Sequence, residues 1–186
     1  MTDLTLKRQK TSTIDFLKQR KVRLNMAIMA LIWLATDFNY FLIKFMINTF
    51  EQVYITGLLS SFSGLVAYVH GGILYRQLGL KLSVTVTFSL SVIACLVLIT
   101  FGLDNQETWY FPVMVLFLEY GIAAAFTIVY VSHNDIFPVL FTTTAMGICN
   151  FVGRIFAAFA PILAKMHQPL PLMVFGSLSM ASVIAI

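Results

Sequence analysis

Hydrophobic residues occupy six long stretches of this chain, and short polar connections separate them. A helix that crosses the hydrocarbon core of a bilayer needs about 20 consecutive, mostly apolar residues. The pattern therefore predicts six membrane-spanning helices, over residues 24–48, 52–75, 81–103, 109–131, 142–164 and 169–186. Charged residues mark the five connections: Glu51; Arg76 and Lys81; Asp104 and Glu107; Asp135; and Lys165.

The charged residues inside these stretches are distributed unevenly. Asp37 and Lys44 fall in the first stretch, Glu119 in the fourth and Arg154 in the fifth, whereas the third and sixth hold none. Each such charge costs about 2.5–3.5 kcal/mol at the centre of a bilayer. We therefore expect these side chains to face a partner helix or an aqueous cavity, and the charge-free stretches to face lipid.

Composition agrees with this pattern. The chain has 186 residues, of which 59% are hydrophobic and 11% charged, whereas soluble domains carry about 25% charged residues. We interpret it as an all-α integral membrane protein built as a six-helix bundle. Cys95 and Cys149 both fall in apolar stretches, so we expect them to pack as free thiols rather than to form a disulfide.

The distribution of Lys and Arg predicts the orientation in the membrane. Seven of them lie within residues 1–23, and Arg76 and Lys81 follow two crossings later, whereas the opposite side carries only Lys165. The N-terminus is therefore expected on the cytoplasmic side, or on the matrix side if the membrane is mitochondrial. Six crossings would return the C-terminus to that side.

The two ends of the chain carry separate expectations. Residues 1–23 form a basic segment that precedes the helical domain of residues 24–186. Within it we expect either a short helix on the membrane surface or a solvated basic loop, with anionic lipid headgroups rather than nucleic acid as partner. The last stretch from Pro171 spans roughly 24 Å against a core of about 30 Å, so we expect the natural chain to continue or the last helix to be truncated.

Helical periodicity places the polar residues of the first stretch on one face. Trp33, Asp37, Tyr40 and Lys44 recur at helical spacing. They form either a cavity wall, or a face on which Lys44 snorkels to the surface and Asp37 bonds a neighbouring helix. The second stretch instead presents small residues, which predicts close helix packing: Gly57, Ser60, Ser61, Gly64, Ala67 and Gly71.

Two further faces carry the remaining charges. Glu119 shares a face with Phe126, and Arg154 shares one with Asn150. Either Glu119 and Arg154 form a neutral, structural ion pair within the membrane, or Arg154 binds an anionic substrate and Glu119 is a partner that it exchanges. We find no Ser-His-Asp grouping, metal-ligand spacing or Gly-rich phosphate loop. We therefore expect no enzymatic activity, no metal and no cofactor.

The charge pattern repeats as three helices plus three, an arrangement that builds each half of major facilitator transporters. The run Ile-Trp-Leu-Ala-Thr-Asp-Phe-Asn-Tyr at 32–40 closely resembles the seventh helix of the organic anion and cation transporters. Residues 109–161, with Asn-Asp-Ile-Phe-Pro at 134–138, resemble the region around that family's loop after helix ten. Residues 168–176 resemble the start of helix twelve, so the resemblance covers about residues 13–186.

This resemblance implies the C-terminal six-helix half of a major facilitator fold. Tyr40 matches a cavity-lining tyrosine, and Arg154 matches a position that is basic in anion transporters and acidic in cation transporters. Glu119 departs from the family, which usually has a basic residue there. Together with the helix faces, this implies the following candidate substrate-binding residues: Trp33, Asp37, Tyr40, Glu119, Phe126, Asn150 and Arg154.

A gating loop is also implied, in altered form. Gly72, Arg76, Gly79 and Lys81 match the family's Gly-x-x-x-Asp-Arg-x-Gly-Arg loop. Arg76 replaces the acidic residue of that loop, which is thought to latch the conformational change in the family.

Two functions remain open at this point. The first is transport of a small organic, anionic solute by alternating access, with the chain paired with an N-terminal half, another half-chain or a second copy of itself. The second is a structural, non-transporting subunit of a larger membrane complex, derived from a transporter. The resemblance suggests the plasma membrane, and the basic N-terminal segment also allows the mitochondrial inner membrane.

Overall fold

The computed structural model describes residues 20–50, 53–102 and 107–186, and every regular element in these ranges is a helix. The helices are α1 (Arg20–Ile47), α2 (Val53–Val97), α3 (Tyr110–Ile136), α4 (Val139–Ala157), α5 (Ala160–Ala164) and α6 (Leu170–Ala185), and a π-helical turn (Leu98–Gly102) continues α2. The predicted all-α class is confirmed. The predicted surface helix within residues 11–23 lies almost entirely outside the described residues.

Helix α2 folds back on itself at Gly79. This glycine has φ 73° and ψ 178°, a backbone conformation that side-chain-bearing residues avoid. The hydroxyl of Ser83 donates to the carbonyl of Leu74 at 3.0 Å, although nine residues of straight helix would separate them by about 13 Å. We call residues 53–78 the first limb of α2 and residues 80–97 its second limb.

Both limbs pack against the same part of α3. Ser63 of the first limb donates to the carbonyl of Leu116 at 2.9 Å, and Ser91 of the second limb donates to the carbonyl of Leu118 at 3.0 Å. The small residues of the first limb allow this close approach, since a Cβ added at Gly71 would lie 2.7 Å from the carbonyl oxygen of Ala124. The predicted packing role is confirmed for Ser60, Gly64, Ala67 and Gly71, which are buried, but not for Ser61, which is exposed.

Helix α1 contacts three neighbouring helices. Trp33 packs on α3, where its ring lies 4.6 Å from that of Tyr130. The amide of Asn39 donates to the hydroxyl of Ser179 on α6 at 2.9 Å. Gly153 of α4 lies against the carbonyl oxygen of Trp33. Helix α1 therefore packs against both α3 and α4.

Helices α4 and α5 form one apolar segment with a break at residues 158–159. Pro161 explains the break, because proline has no N–H to donate to the carbonyl one turn earlier. The predicted span over residues 142–164 covers both helices. The expectation for the cysteines is confirmed as well, since Cys95 and Cys149 are free and buried.

Within the described residues, four segments are long and apolar enough to cross a membrane: Val22–Ile47, Val53–Phe101, Tyr110–Ile136 and Phe141–Ala164. The folded-back segment contains both limbs of α2 and therefore two of the six predicted spans. Helix α6 has 16 residues and falls below that length, so the count of six crossings stays a prediction.

The surface of the first limb supports the assignment to the membrane. Tyr54 is 94% exposed, Leu58 74% and Phe62 65%. A soluble protein rarely exposes large apolar side chains along a whole helix face. Such a face is stable when it contacts lipid or a partner helix. The chain is therefore an integral membrane protein.

One depression shows which helix ends lie together in the described bundle. Asn25 of α1, Leu80 at the turn of α2, Ile136 of α3 and Ile186 line one depression. The beginning of α1 and the end of α6 thus lie at the same end of the bundle. The side of the membrane that this end faces stays a prediction.

Candidate functional site

Glu119 of α3 and Lys44 of α1 form an ion pair inside the bundle. The hydroxyl of Ser60 on α2 donates to the second oxygen of Glu119, and the ammonium of Lys44 also donates to Ser60 Oγ at 3.3 Å. The side chain of Glu119 is fully buried and that of Lys44 is 33% exposed. Removing a carboxylate from water costs several kcal/mol unless it is paired and hydrogen-bonded, and both oxygens of Glu119 meet this condition.

This arrangement corrects the predicted pairing of Glu119 with Arg154. Helix α1 packs against α3, and the cation that pairs with Glu119 comes from α1. The Nε of Arg154 instead donates to Oδ1 of Asn150 at 3.3 Å, and its guanidinium lies 5.2 Å from the ring centre of Phe41. The alternative in which Lys44 snorkels to the surface is also wrong, since its ammonium turns inward.

A depression of about 300 Å³ opens beside the ion pair. Its lining comes from α1, the first limb of α2 and α3: Tyr40, Lys44, Ser61, Gly64, Leu65, Tyr68 and Glu119. Two features shape it. Gly64 places no side chain beside the carboxylate, since a Cβ there would lie 3.7 Å from Oε1 of Glu119, at van der Waals contact. The hydroxyl of Tyr68 donates to that of Tyr40 at 3.1 Å across the rim.

An aromatic strip, formed by Trp33, Tyr40, Phe126 and Tyr130, extends from this depression. The ring centres of Tyr40 and Phe126 are 5.4 Å apart, and those of Phe126 and Tyr130 are 5.2 Å apart. Trp33 is fully buried behind them and donates from Nε1 to Nδ1 of His133 at 3.3 Å. Such aromatic pairs contribute about 0.5–1.5 kcal/mol each beyond the burial of their area, so the strip is a stable wall.

A polar chain connects the aromatic strip to Arg154. The amide nitrogen of Asn150 donates to the hydroxyl of Tyr130 at 3.1 Å, and Arg154 donates to the amide oxygen of Asn150. Arg154 itself is exposed. Two cations, Lys44 and Arg154, thus stand at the two ends of one aromatic and polar surface.

Asp37 takes a different position from the one that its helix face predicts. Its carboxylate is fully buried where α1 meets α4, against Gly153. Within the part of the chain that the structure describes, neither of its oxygens has a hydrogen-bond partner. Asp37 therefore neither lines the depression nor bonds a neighbouring helix. The other candidate residues all lie in the depression, the aromatic strip or the polar chain.

The predicted gating loop is a tight turn between the two limbs of α2. Gly79 makes the turn, and Arg76 and Lys81 are exposed beside it. The acidic residue of the family's loop is replaced by Arg76, and the residue before it makes a contact with α3. The hydroxyl of Tyr75 donates to the carboxylate of Asp135 at the end of α3.

Several residues of this surface were absent from the predicted set. Lys44 was assigned to the right face but not to the site, and Ser60 was counted only among the packing residues. Tyr130 follows Phe126 by one helical turn, so helical periodicity places Tyr130 on the same face as Phe126. Nothing in the sequence distinguishes Tyr68 from the other aromatic residues of the second stretch.

No protein-family model matches the chain. It is 26% identical to human solute carrier family 22 member 13 over 90% of this chain and 31% of the relative. It is 25% identical to mouse solute carrier family 22 member 4 over 94% of this chain and 32% of the relative. It is 24% identical to human organic cation/carnitine transporter 2 over 98% of this chain and 33% of the relative.

The chain therefore spans about a third of the length of the curated relatives it matches. These relatives are named as carriers and not as enzymes, in agreement with the expectation from the sequence motifs. The matches cover nearly all of the chain at low identity. They confirm that this chain is a multi-pass membrane protein similar to the organic anion and cation transporters of solute carrier family 22.

Proposed function

We propose that this chain is one half of a carrier that moves a small organic anion across the plasma membrane by alternating access. The observation that carries the proposal is the surface on which Lys44 and Arg154 stand at opposite ends of the aromatic strip. Cations bind the acidic group of such a solute, and aromatic rings pack against its apolar body.

The proposed carrier half has six membrane-spanning helices, and both of its ends lie on the cytoplasmic side. The two limbs of α2, the combined α4 and α5, and α6 supply the crossings beyond α1 and α3. Substrates of major facilitator transporters bind between two such halves. A second six-helix half then covers the face that carries the depression and Arg154. The mitochondrial location has no support among the relatives.

The test is uptake of radiolabelled benzoate by proteoliposomes that contain the chain and the partners that co-purify with it. Arg154→Ala removes a charge-assisted contact worth about 1.5–3 kcal/mol, so we expect uptake at low substrate concentration to fall at least about tenfold. Lys165→Ala is the control, because Lys165 is an exposed cation in the connection between α5 and α6. Equal uptake by both variants and the wild-type protein would remove Arg154 from the site.

A structural role within a larger membrane complex is the second candidate. The ion pair of Lys44 and Glu119 favours it, because the two charges neutralise each other without a ligand. This function predicts that the purified particle contains many different chains in fixed stoichiometry and takes up no benzoate. It also predicts that Arg154→Ala changes the composition of the particle.

A further inference from the structure

We propose that Lys44 is an anion site that exchanges its partner: the carboxylate of the solute displaces Glu119 from Lys44, and Glu119 takes up a proton from water as it is displaced. The carrier would then move its anion together with a proton. This inference rests on the proposed function, because it names the coupling ion and a second cation of the same site.

The groups that face the depression are hydrogen-bond donors. An ammonium has three N–H groups, and those of Lys44 bond Glu119 and Ser60, which leaves one for the depression. The hydroxyl of Tyr68 donates to that of Tyr40, so the hydrogen of the Tyr40 hydroxyl remains available to a solute. Donors without acceptors suit an anion and disfavour a cation.

Among the residues that the structure describes, Glu119 is the carboxylate at the depression, and it is already paired. Lys44 and Ser60 each donate to one oxygen of Glu119, and the side chain is fully buried. A solute carboxylate on Lys44 would therefore place two negative groups on one ammonium. Like charges at this distance favour protonation of one of them, and the buried group is the one for which ionisation costs more.

The proton has both an entry path and an acceptor. The carboxylate of Glu119 is fully buried while it is paired, but Gly64 has no side chain between it and the depression, so water can reach the carboxylate once Lys44 moves onto the solute. A hydroxyl both donates and accepts, so Ser60 can turn round and accept the new O–H of protonated Glu119. The new O–H group of Glu119 therefore has a partner.

Other ionisable groups around Glu119 do not replace Lys44. Tyr40 of α1 and Tyr68 of α2 stand at the rim, and His70 of α2 bonds the hydroxyl of Tyr120, the residue after Glu119. The second limb of α2 meets this part of α3 through the uncharged Ser91. Within the described residues, the one cation paired with Glu119 is Lys44.

The depression also indicates the kind of anion. Its volume of about 300 Å³ is at the small end of ligand sites, and the ring of Phe126 lies 5.4 Å from that of Tyr40 at its edge. A compact aromatic monocarboxylate fits both features. Benzoate is therefore the probe.

The experiment measures equilibrium binding of radiolabelled benzoate to the purified assembly in nanodiscs from pH 5.5 to 7.5. In the wild-type protein we expect affinity to rise as pH falls, towards the limit of about tenfold per unit for one linked proton. Glu119→Gln keeps the shape of the side chain and removes the competing charge. We expect it to bind at pH 7.5 as tightly as the wild type does at pH 5.5, with no pH dependence.

Lys44→Met combined with Glu119→Gln provides the second comparison, because it removes both charges and leaves no unpaired ion in the bundle. We expect this double variant to lose benzoate binding at least tenfold while keeping its thermal stability. If it binds as the wild type does, or if Glu119→Gln keeps the wild-type pH dependence, the exchange is overturned.

The outcomes also separate the two proposals. Benzoate binding that depends on Arg154 but not on pH or Lys44 would contradict the exchange and leave the carrier proposal in place. No benzoate binding by the wild-type protein at any pH would contradict the anion site and therefore both proposals.

Discussion

The carboxylate of Glu119 places the strictest demands on its surroundings of any group in this site. It is fully buried, and its two oxygens depend on Lys44 and Ser60. The small side chain of Ser60 therefore has two tasks, because it lets the first limb of α2 approach α3 and it supplies a hydrogen bond. At this scale the stability of the bundle and the chemistry of the site depend on the same atoms.

Ser60→Ala tests this dependence. The substitution keeps the packing but leaves one oxygen of a buried carboxylate unsatisfied, so we expect a loss of about 1.5–3 kcal/mol of stability. Ser61→Ala is the matched control, because Ser61 is exposed and its hydroxyl only donates to the carbonyl of Gly57 within the same helix. The measurement is thermal unfolding in detergent; equal melting temperatures for the two variants would show that Ser60 is not needed by Glu119.

At the scale of elements, two glycines next to each other in the first limb have opposite surroundings. A Cβ on Gly71 would lie 2.7 Å from the carbonyl oxygen of Ala124, whereas one on Gly72 meets nothing within 4 Å. The first limb therefore presses on α3 at Gly71 and faces open space at Gly72. Helix propensity alone would treat the two positions alike.

We expect Gly71→Ala to destabilise the protein by about 1–3 kcal/mol, because the backbone of α3 must move away. Gly72→Ala should be neutral or stabilise it by up to about 1 kcal/mol, since alanine is the better helix former. Chemical or thermal unfolding of the two variants side by side gives the answer. A stable Gly71→Ala variant would mean that the limbs and α3 are less closely packed than the structure indicates.

At the scale of the whole molecule, polarity divides the surface into two kinds of face. The depression and Arg154 lie on the polar face. The other face is apolar, and α6 contributes exposed side chains to it such as Met173, which is 60% exposed. The polar face requires water or protein, because charges are costly in hydrocarbon. A second half would satisfy this requirement and complete the site.

Cysteine crosslinking in native membranes tests which face carries the partner. Ser61→Cys stands on the rim of the depression, and Met173→Cys stands on α6. The native Cys95 and Cys149 are buried and provide a low background. With a bismaleimide we expect Ser61→Cys, but not Met173→Cys, to join the chain to a six-helix partner or to a second copy. The reverse pattern would place the partner on α6.

The fold could be predicted from the sequence further than the site could. The lengths of the apolar stretches reproduced the helices to within a few residues, and even the turn at Gly79 falls in the predicted connection. The main departures are local: Pro161 divides one predicted helix, and α2 runs through its turn with hardly any loop. In the site, periodicity placed Tyr40, Phe126, Asn150 and Arg154 on the faces that the structure brings together.

The sequence by itself determined that this is an all-α membrane protein, which helices carry charge and which proteins it resembles. Those properties follow from apolar length, helical period and local motifs, all of which are fixed along the chain. Only the tertiary structure decided that Lys44 pairs with Glu119, that Asp37 is buried against Gly153 and that Tyr68 closes the rim. Such contacts depend on which helices pack together, and the packing of α1 against both α3 and α4 is an arrangement that no helical period encodes.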